Sequence, residues 1–206
     1  MPLVKADIDT AHPTNTPAAH APAAEALVLL DSAVAAERRA AVRALEQHDD
    51  GLAPLCARIA VETAPSVREA IMATLIRRRS PLVVAALLPL LRSEQPALRN
   101  AALEGLAAMP EEVAPHIEHL LRDPDSDVRI FTANLLHILP HPHAAAWLVA
   151  ALGDDHANVC AAAIDGLAEI GDADAIDALA ALPARFPDDG FIAFAVQVAM
   201  QRIGRC

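Results

Sequence analysis

Apolar residues recur along this chain with the spacing of helix faces, and the pattern itself repeats. Five segments align without internal gaps: Glu37 to Leu45, Val67 to Leu75, Leu98 to Leu106, Val128 to Leu136 and Val159 to Leu167. The second residue of each is Arg38, Arg68, Arg99, Arg129 and Cys160, in steps of 30, 31, 30 and 31 residues. Counted from that residue, the apolar positions fall at −1, +4 and +7, which places them on one face of a helix. The +3 residues are Ala41, Ile71, Ala102, Thr132 and Ala163, mostly small, so neighbouring helices can approach closely. A sixth, degenerate segment, Phe191 to Ala199, follows 32 residues later with Ala195 at +3.

The intervening stretches carry partner helices at about 52–61, 82–92, 112–122, 144–152 and 173–182, and the first pair begins near residue 23. Punctuation agrees. Pro81 and Pro142 stand near helix starts, where a missing N–H costs nothing. Asp123-Pro124-Asp125-Ser126-Asp127 and Gly153-Asp154-Asp155 separate the two helices of a pair and can cap the second. Gly171 and Gly204 fall where helices should end, and Pro89 and Pro115 should bend or shorten theirs. The fold class is therefore all-α, an α–α superhelix of about six stacked pairs over residues 23–206. A two-helix unit of this length cannot bury its apolar face alone, and stacking creates one continuous core. Residues 1–22 hold four Pro among Ala, Thr and His without periodicity, and read as a disordered tail.

Particular runs carry a family resemblance. Leu121-Arg122-Asp123-Pro124-Asp125-Ser126-Asp127-Val128-Arg129 resembles a HEAT repeat, as does Leu152-Gly153-Asp154-Asp155-His156-Ala157-Asn158-Val159 with Gly166-Leu167-Ala168-Glu169-Ile170-Gly171. They are most similar to the short bacterial HEAT-like type of the phycobilisome lyases. The resemblance implies an armadillo/HEAT-type solenoid and a ladder of acidic and arginine residues between repeats. The residue six before each ladder position is Ser32, Glu62, Ser93, Asp123 and Asp154. On that spacing a ladder contact is expected for Glu62 with Arg68 and for Asp123 with Arg129.

Composition narrows the function. Aromatics are only 2% of the chain, with one Trp and no Tyr, and the net charge is −11. Residues 1–99 hold 11 basic and 11 acidic side chains, whereas residues 100–206 hold 5 and 16 and so carry the whole excess. Nucleic-acid binding needs a basic face and stacking rings, so no nucleic acid is expected as a partner. The longest apolar stretch, 81–91, falls short of the roughly 20 residues a membrane crossing requires, and no membrane is expected as a partner. The N-terminal residues lack a signal-peptide pattern, and a cytoplasmic location is expected. Cys56, Cys160 and Cys206, odd in number and widely spaced, make neither a disulfide framework nor a metal knuckle.

Candidate chemistry is sparse. Six of the nine histidines lie between residues 116 and 156, but His116, His119, His137, His141, His143 and His156 match no closed metal site and read as solvated loop and helix-end groups. No histidine is followed by Glu, unlike the iron-binding pairs of HEAT-type hydroxylases. Asp123, Asp125 and Asp127 imitate a calcium loop but lead to Val128 and Asn134 where Gly and Glu are needed. Arg77-Arg78-Arg79 reads as a cationic helix end. No catalytic, cofactor-binding or metal residue is assigned.

The leading expectation is a protein-interaction scaffold, neither enzyme nor nucleic-acid solenoid, that binds another protein or peptide along its concave face. A bilin lyase-like or other chromophore-handling enzyme is the alternative, carried by the resemblance alone. If the arginine-bearing helices line the concave face, as in the family resembled, their +1 and +5 residues point outward. The candidate partner-binding residues are Arg39 and Arg43, Glu69, Asn100 and Glu104, Asn134, and Asp165, with His137 at the edge of the stripe. The stripe runs from basic through polar to acidic and suits an extended segment of reversed charge pattern.

Overall fold

The computed structural model describes residues 21–204. Twelve α-helices form six consecutive pairs: α1 (Ala21–Leu29) with α2 (Ala35–Leu45), α3 (Leu52–Ile59) with α4 (Pro65–Arg78), and α5 (Pro81–Leu87) with α6 (Pro96–Ala107). The C-terminal pairs are α7 (Pro110–Leu120) with α8 (Ser126–Ile138), α9 (Ala144–Ala151) with α10 (Ala157–Ile170), and α11 (Ile176–Arg185) with α12 (Gly190–Ile203). No strand occurs among the described residues, and none of their helices is long and apolar enough to cross a membrane. The even-numbered helices pack on one another in sequence and form one layer, and α3, α5 and α7 stack in the other. The tail expected over residues 1–22 lies outside the described residues, apart from Ala21 and Pro22, which open α1.

Prolines and glycines act at the expected points with one difference. Pro89 lies where α5 tightens into a 3₁₀ segment, Leu88–Arg92, because proline can neither donate to the α ladder nor clear the preceding turn. Pro115, in contrast, does not end its helix: α7 continues through it to Leu120. Gly171 and Gly204 are the C-caps of α10 and α12.

The core follows the repeat. Leu75, Leu106, Leu136 and Leu167, all at +7, are fully buried, and so is every +3 residue from Ala41 to Ala195. The −1 position departs from expectation at both ends of the array. Glu37 is exposed and accepts a hydrogen bond from the Ser32 hydroxyl, and Phe191 is 59% exposed. Among the described residues the first and sixth pairs have a neighbouring pair on one side only. In α12 the buried role passes to Ile192, which occupies the ladder position.

The ladder exists, but its partners are not those the spacing suggested. Two of the three acids, Glu62 and Asp154, reach back to the preceding repeat's arginine. Arg38 grips Glu62 with two bonds of 2.7 and 2.8 Å, and Arg129 grips Asp154 with bonds of 2.7 and 3.1 Å. Within its own repeat the arginine donates to a backbone carbonyl six residues earlier: Arg38 to Ser32, Arg99 to Ser93, and Arg129 to Asp123. The guanidinium is too long to fold onto the side chain in its own loop and instead bridges two loops. The side chain at the −6 position in turn accepts the N–H two residues on, in all five loops. Asp123 pairs instead with Arg92, while Arg99 lies 5.1 Å from the centre of the Phe131 ring. Cys160, which replaces the last arginine, donates its thiol to the Asp154 carbonyl at 3.2 Å. Arg185, from the following pair, supplies the missing guanidinium by donating to the carbonyls of Leu152, Gly153 and Asp154.

Arg38 and Glu62 are both buried, which sets their energetics. The hydrogen bonds from Arg38 hold the Glu62 carboxyl at about 2, against burial that pushes it up, with help from the Ala64 N–H and Arg58. At Asp154 burial again pushes upward, but the Arg129 and His156 N–H hydrogen bonds prevail and the group lies below its ordinary range.

Two expectations follow from this packing. Leu106→Ala and Leu136→Ala should each cost about 2–5 kcal/mol of stability by denaturant titration, since each leaves a cavity in a layer closed on both sides; an unchanged midpoint would refute the register. The acid ladder should also be visible in the pH dependence. A carboxyl lowered on folding adds stability that is complete above its ordinary value of 4.5 and is lost as pH falls towards about 2. The melting temperature should fall through that window. Glu62→Gln should be less stable at neutral pH by about 3 kcal/mol and should flatten the acid slope. A variant with the wild-type slope would show that Glu62 is not the titrating group.

Candidate functional site

The outward stripe read from the sequence is realised on the even-numbered helices. Arg43, Glu69, Asn100, Glu104, Asn134 and Asp165 are exposed, and Arg39 and His137 are half-buried. They do not form one continuous site. Asn134, His137 and Asp165 converge on a groove formed by α8, α10 and α12, while Glu69 and Glu104 line a second groove between α4 and α6. Arg39 and Arg43 on α2 and Asn100 on α6 line neither groove.

The α8–α10–α12 groove has a volume of about 370 Å³. Ile164, Asp165, Ala168 and Glu169 of α10 form its floor. Asn134 and His137 stand on the α8 side, and Phe191, Phe194, Val198 and Arg202 on the α12 side. Gly166 helps to set this spacing: a Cβ there would lie 2.8 Å from Leu148 Cδ1 and 3.5 Å from His137 Cβ, so its absence lets α8 and α9 seat against α10. His137 Nε2 then lies 2.8 Å from Glu169 Oε2. The hydrogen bond from His137 and its charge hold Glu169 below the ordinary carboxyl range, and Arg202 adds to the effect. Asp165 makes no ion pair among the described residues. The groove thus offers an unpaired carboxylate beside two aromatic rings that are 59% and 63% exposed. It can receive an apolar side chain against the rings and a cation against Asp165.

Phe191 and Phe194 were not among the sequence candidates, although the signal was present. The chain has four Phe, and two of them sit three residues apart in the segment whose repeat pattern is degenerate. Spacing i, i+3 puts both on one face of α12.

The remaining sequence candidates resolve into structure. His141 stacks on Trp147 at 4.7 Å between ring centres, and His143 meets the same indole edge-on at 5.7 Å. Among the described residues no group of three or more His, Cys, Asp or Glu side chains is arranged to hold a metal. Cys56 and Cys160 are buried, and burial pushes both thiols up, which disfavours the thiolate. Arg77-Arg78-Arg79 does more than complement a helix end. Arg77 pairs with Glu46 and Arg78 with Asp49 in the first repeat, whereas Arg79 donates to the Ala108 carbonyl in the third. The run therefore clamps three successive repeats.

Comparison with known proteins gives a family match. The model of the HEAT-repeat family matches residues 52–130 and 113–197, which together run from the start of α3 into α12. The phycobilisome-lyase subtype is not distinguished by that match. A solved structure described as an engineered protein is similar at 18% identity, with 89% of this chain and 96% of that chain covered and a TM-score of 0.41. No curated protein matches this chain.

Proposed function

We propose that this chain, which belongs to the HEAT-repeat family, is an interaction scaffold that binds a polypeptide segment along the face of its even-numbered helices. Contacts between successive helices are denser in that layer than in the other, and the more closely packed layer of a solenoid is its concave side. The observation that carries the reading is the exposure of Phe191 and Phe194 beside Asp165 in the α8–α10–α12 groove. Rings left in water next to an unpaired carboxylate suit a ligand with an apolar anchor and a nearby basic residue. Aromatic anchors of this kind dominate binding energy at interfaces. The net charge of −11 borne by residues 100–206 favours the same ligand. At the opposite end, Arg39 and Arg43 suit an acidic stretch, so the preferred partner is an extended segment whose charge runs from acidic to basic.

The test is affinity capture from the native cell with wild type and two variants, read by quantitative mass spectrometry. The double variant Phe191→Ala/Phe194→Ala should lose its main partner, with a cost of about 2 kcal/mol or more in a purified complex. Asp165→Lys should weaken the same complex, and less so at high salt, where exposed charges are screened. Both variants should melt as wild type does, because the altered side chains are exposed. Recovery of the same proteins in equal amount on all three baits would place the binding surface elsewhere.

A further inference from the structure

The inner layer is not evenly packed. Its most loosely joined neighbours are α4 and α6, and a groove of about 310 Å³ opens between them. Met72 and Ile76 on one side and Ala97 and Ala101 on the other give it an apolar floor. Met72 lies across Gly105, where a Cβ would come 2.5 Å from Met72 Cε, so a larger residue would displace the floor. Three charged groups stand along the groove, Arg68, Glu69 and Glu104, and none has an ion pair among the described residues.

Arg68 is the informative group. It is a ladder arginine without an ion pair among the described residues, and unlike Arg99, which donates to the Ser93 carbonyl and lies over the Phe131 ring, it has no other partner there. At the junction before it Arg38 holds Glu62, and two junctions on Arg129 holds Asp154. By the same register Arg68 should meet residue 93. That residue is Ser93, which accepts the Gln95 N–H as the acids do in their own loops but brings no charge. An unneutralised guanidinium is left at the edge of an apolar groove, where desolvation by a ligand would strengthen any ion pair it forms.

We propose that the α4–α6 groove binds a polypeptide segment that presents a carboxylate to Arg68 and an apolar side chain to the floor formed by Met72. The partner's acid takes the place that Glu62 fills from within at the preceding junction and Asp154 two junctions on. Arg68 offers a planar fork that fits a carboxylate with two parallel bonds. Glu69 and Glu104 restrict the choice further: they repel a uniformly acidic ligand and favour a basic residue next to the acid. The fitting segment is therefore short, zwitterionic and centred on an apolar residue. This site shares no residue with the α8–α10–α12 groove, and either can stand without the other.

The experiment pans a phage-displayed library of random short peptides against the full chain and measures the most enriched peptide in synthetic form by fluorescence anisotropy. The enriched sequences should share an Asp or Glu at fixed spacing from Leu, Ile or Met. Arg68→Gln should reduce affinity about tenfold or more. Ser93→Asp, which supplies the acid internally, should reduce it as much and also raise the melting temperature. Asp165→Lys and Phe191→Ala/Phe194→Ala, in the other groove, should leave it unchanged. The proposal is overturned if no peptide is enriched over an unrelated control protein, or if the enriched peptides share no acid. It is equally overturned if Arg68→Gln and Ser93→Asp bind as wild type does, or if the peptide is lost on Asp165→Lys and so belongs to the other groove.

Discussion

A pair of helices some thirty residues long has more apolar surface than it can cover, and this constraint organises the molecule. Leu75, Leu106, Leu136 and Leu167 are dry only because another pair lies over each of them. Every such burial brings two loops together and threatens to strand their carbonyl groups away from water. The ladder arginines answer that threat. Arg38 and Arg129 each satisfy a carbonyl of their own loop and the acid of the next, so that one guanidinium serves two repeats. Core and ladder therefore form together at these two junctions. Because both lie within the stack, outward residues of the even-numbered helices such as Glu104 and Asp165 are free of structural duty.

That freedom makes the imperfections of the repeat informative. Where the pattern is intact the ladder closes the junction, as at Arg38–Glu62 and Arg129–Asp154. Where it fails, something is left over. Ser93 in place of an acid leaves Arg68 without a counterion. The shift of the buried role in α12 to Ile192 leaves Phe191 and Phe194 exposed. Both exceptions border grooves on the same layer, and a binding surface made of exceptions can be specific even though the scaffold is repetitive.

Most of the fold was legible in the sequence because period and helix-face spacing are local properties. The +7 leucines, the partner helices and the C-caps at Gly171 and Gly204 all follow from residues within a turn or two of each other. The ladder was only half legible. The spacing showed an acid and an arginine six apart, but not that the arginine side chain overshoots its own loop and reaches 24 residues ahead to Glu62. The gathering of five of the stripe residues into two grooves was hidden, because groove depth depends on how far neighbouring helices separate. Phe191 and Phe194 were obscured for a related reason: a degenerate segment reads as a weak repeat, and the spacing does not show that Ile192 takes the buried place expected for Phe191.

The replacement at residue 160 has a consequence for how far the units are interchangeable. In the first and fourth repeats the carbonyl-binding arginine belongs to the repeat it serves, so each unit carries its own fastening. In the fifth, Cys160 covers only part of that role, and the rest comes from Arg185 at the end of α11. The sixth unit thus holds a component of the fifth. Excision at the boundary between them would remove more than one layer of contacts: the Gly153 carbonyl would lose its Arg185 donor, and the Leu152 carbonyl would keep only the Cys160 thiol. The fifth and sixth pairs are accordingly fastened to each other through Arg185, as the first three are through Arg77, Arg78 and Arg79.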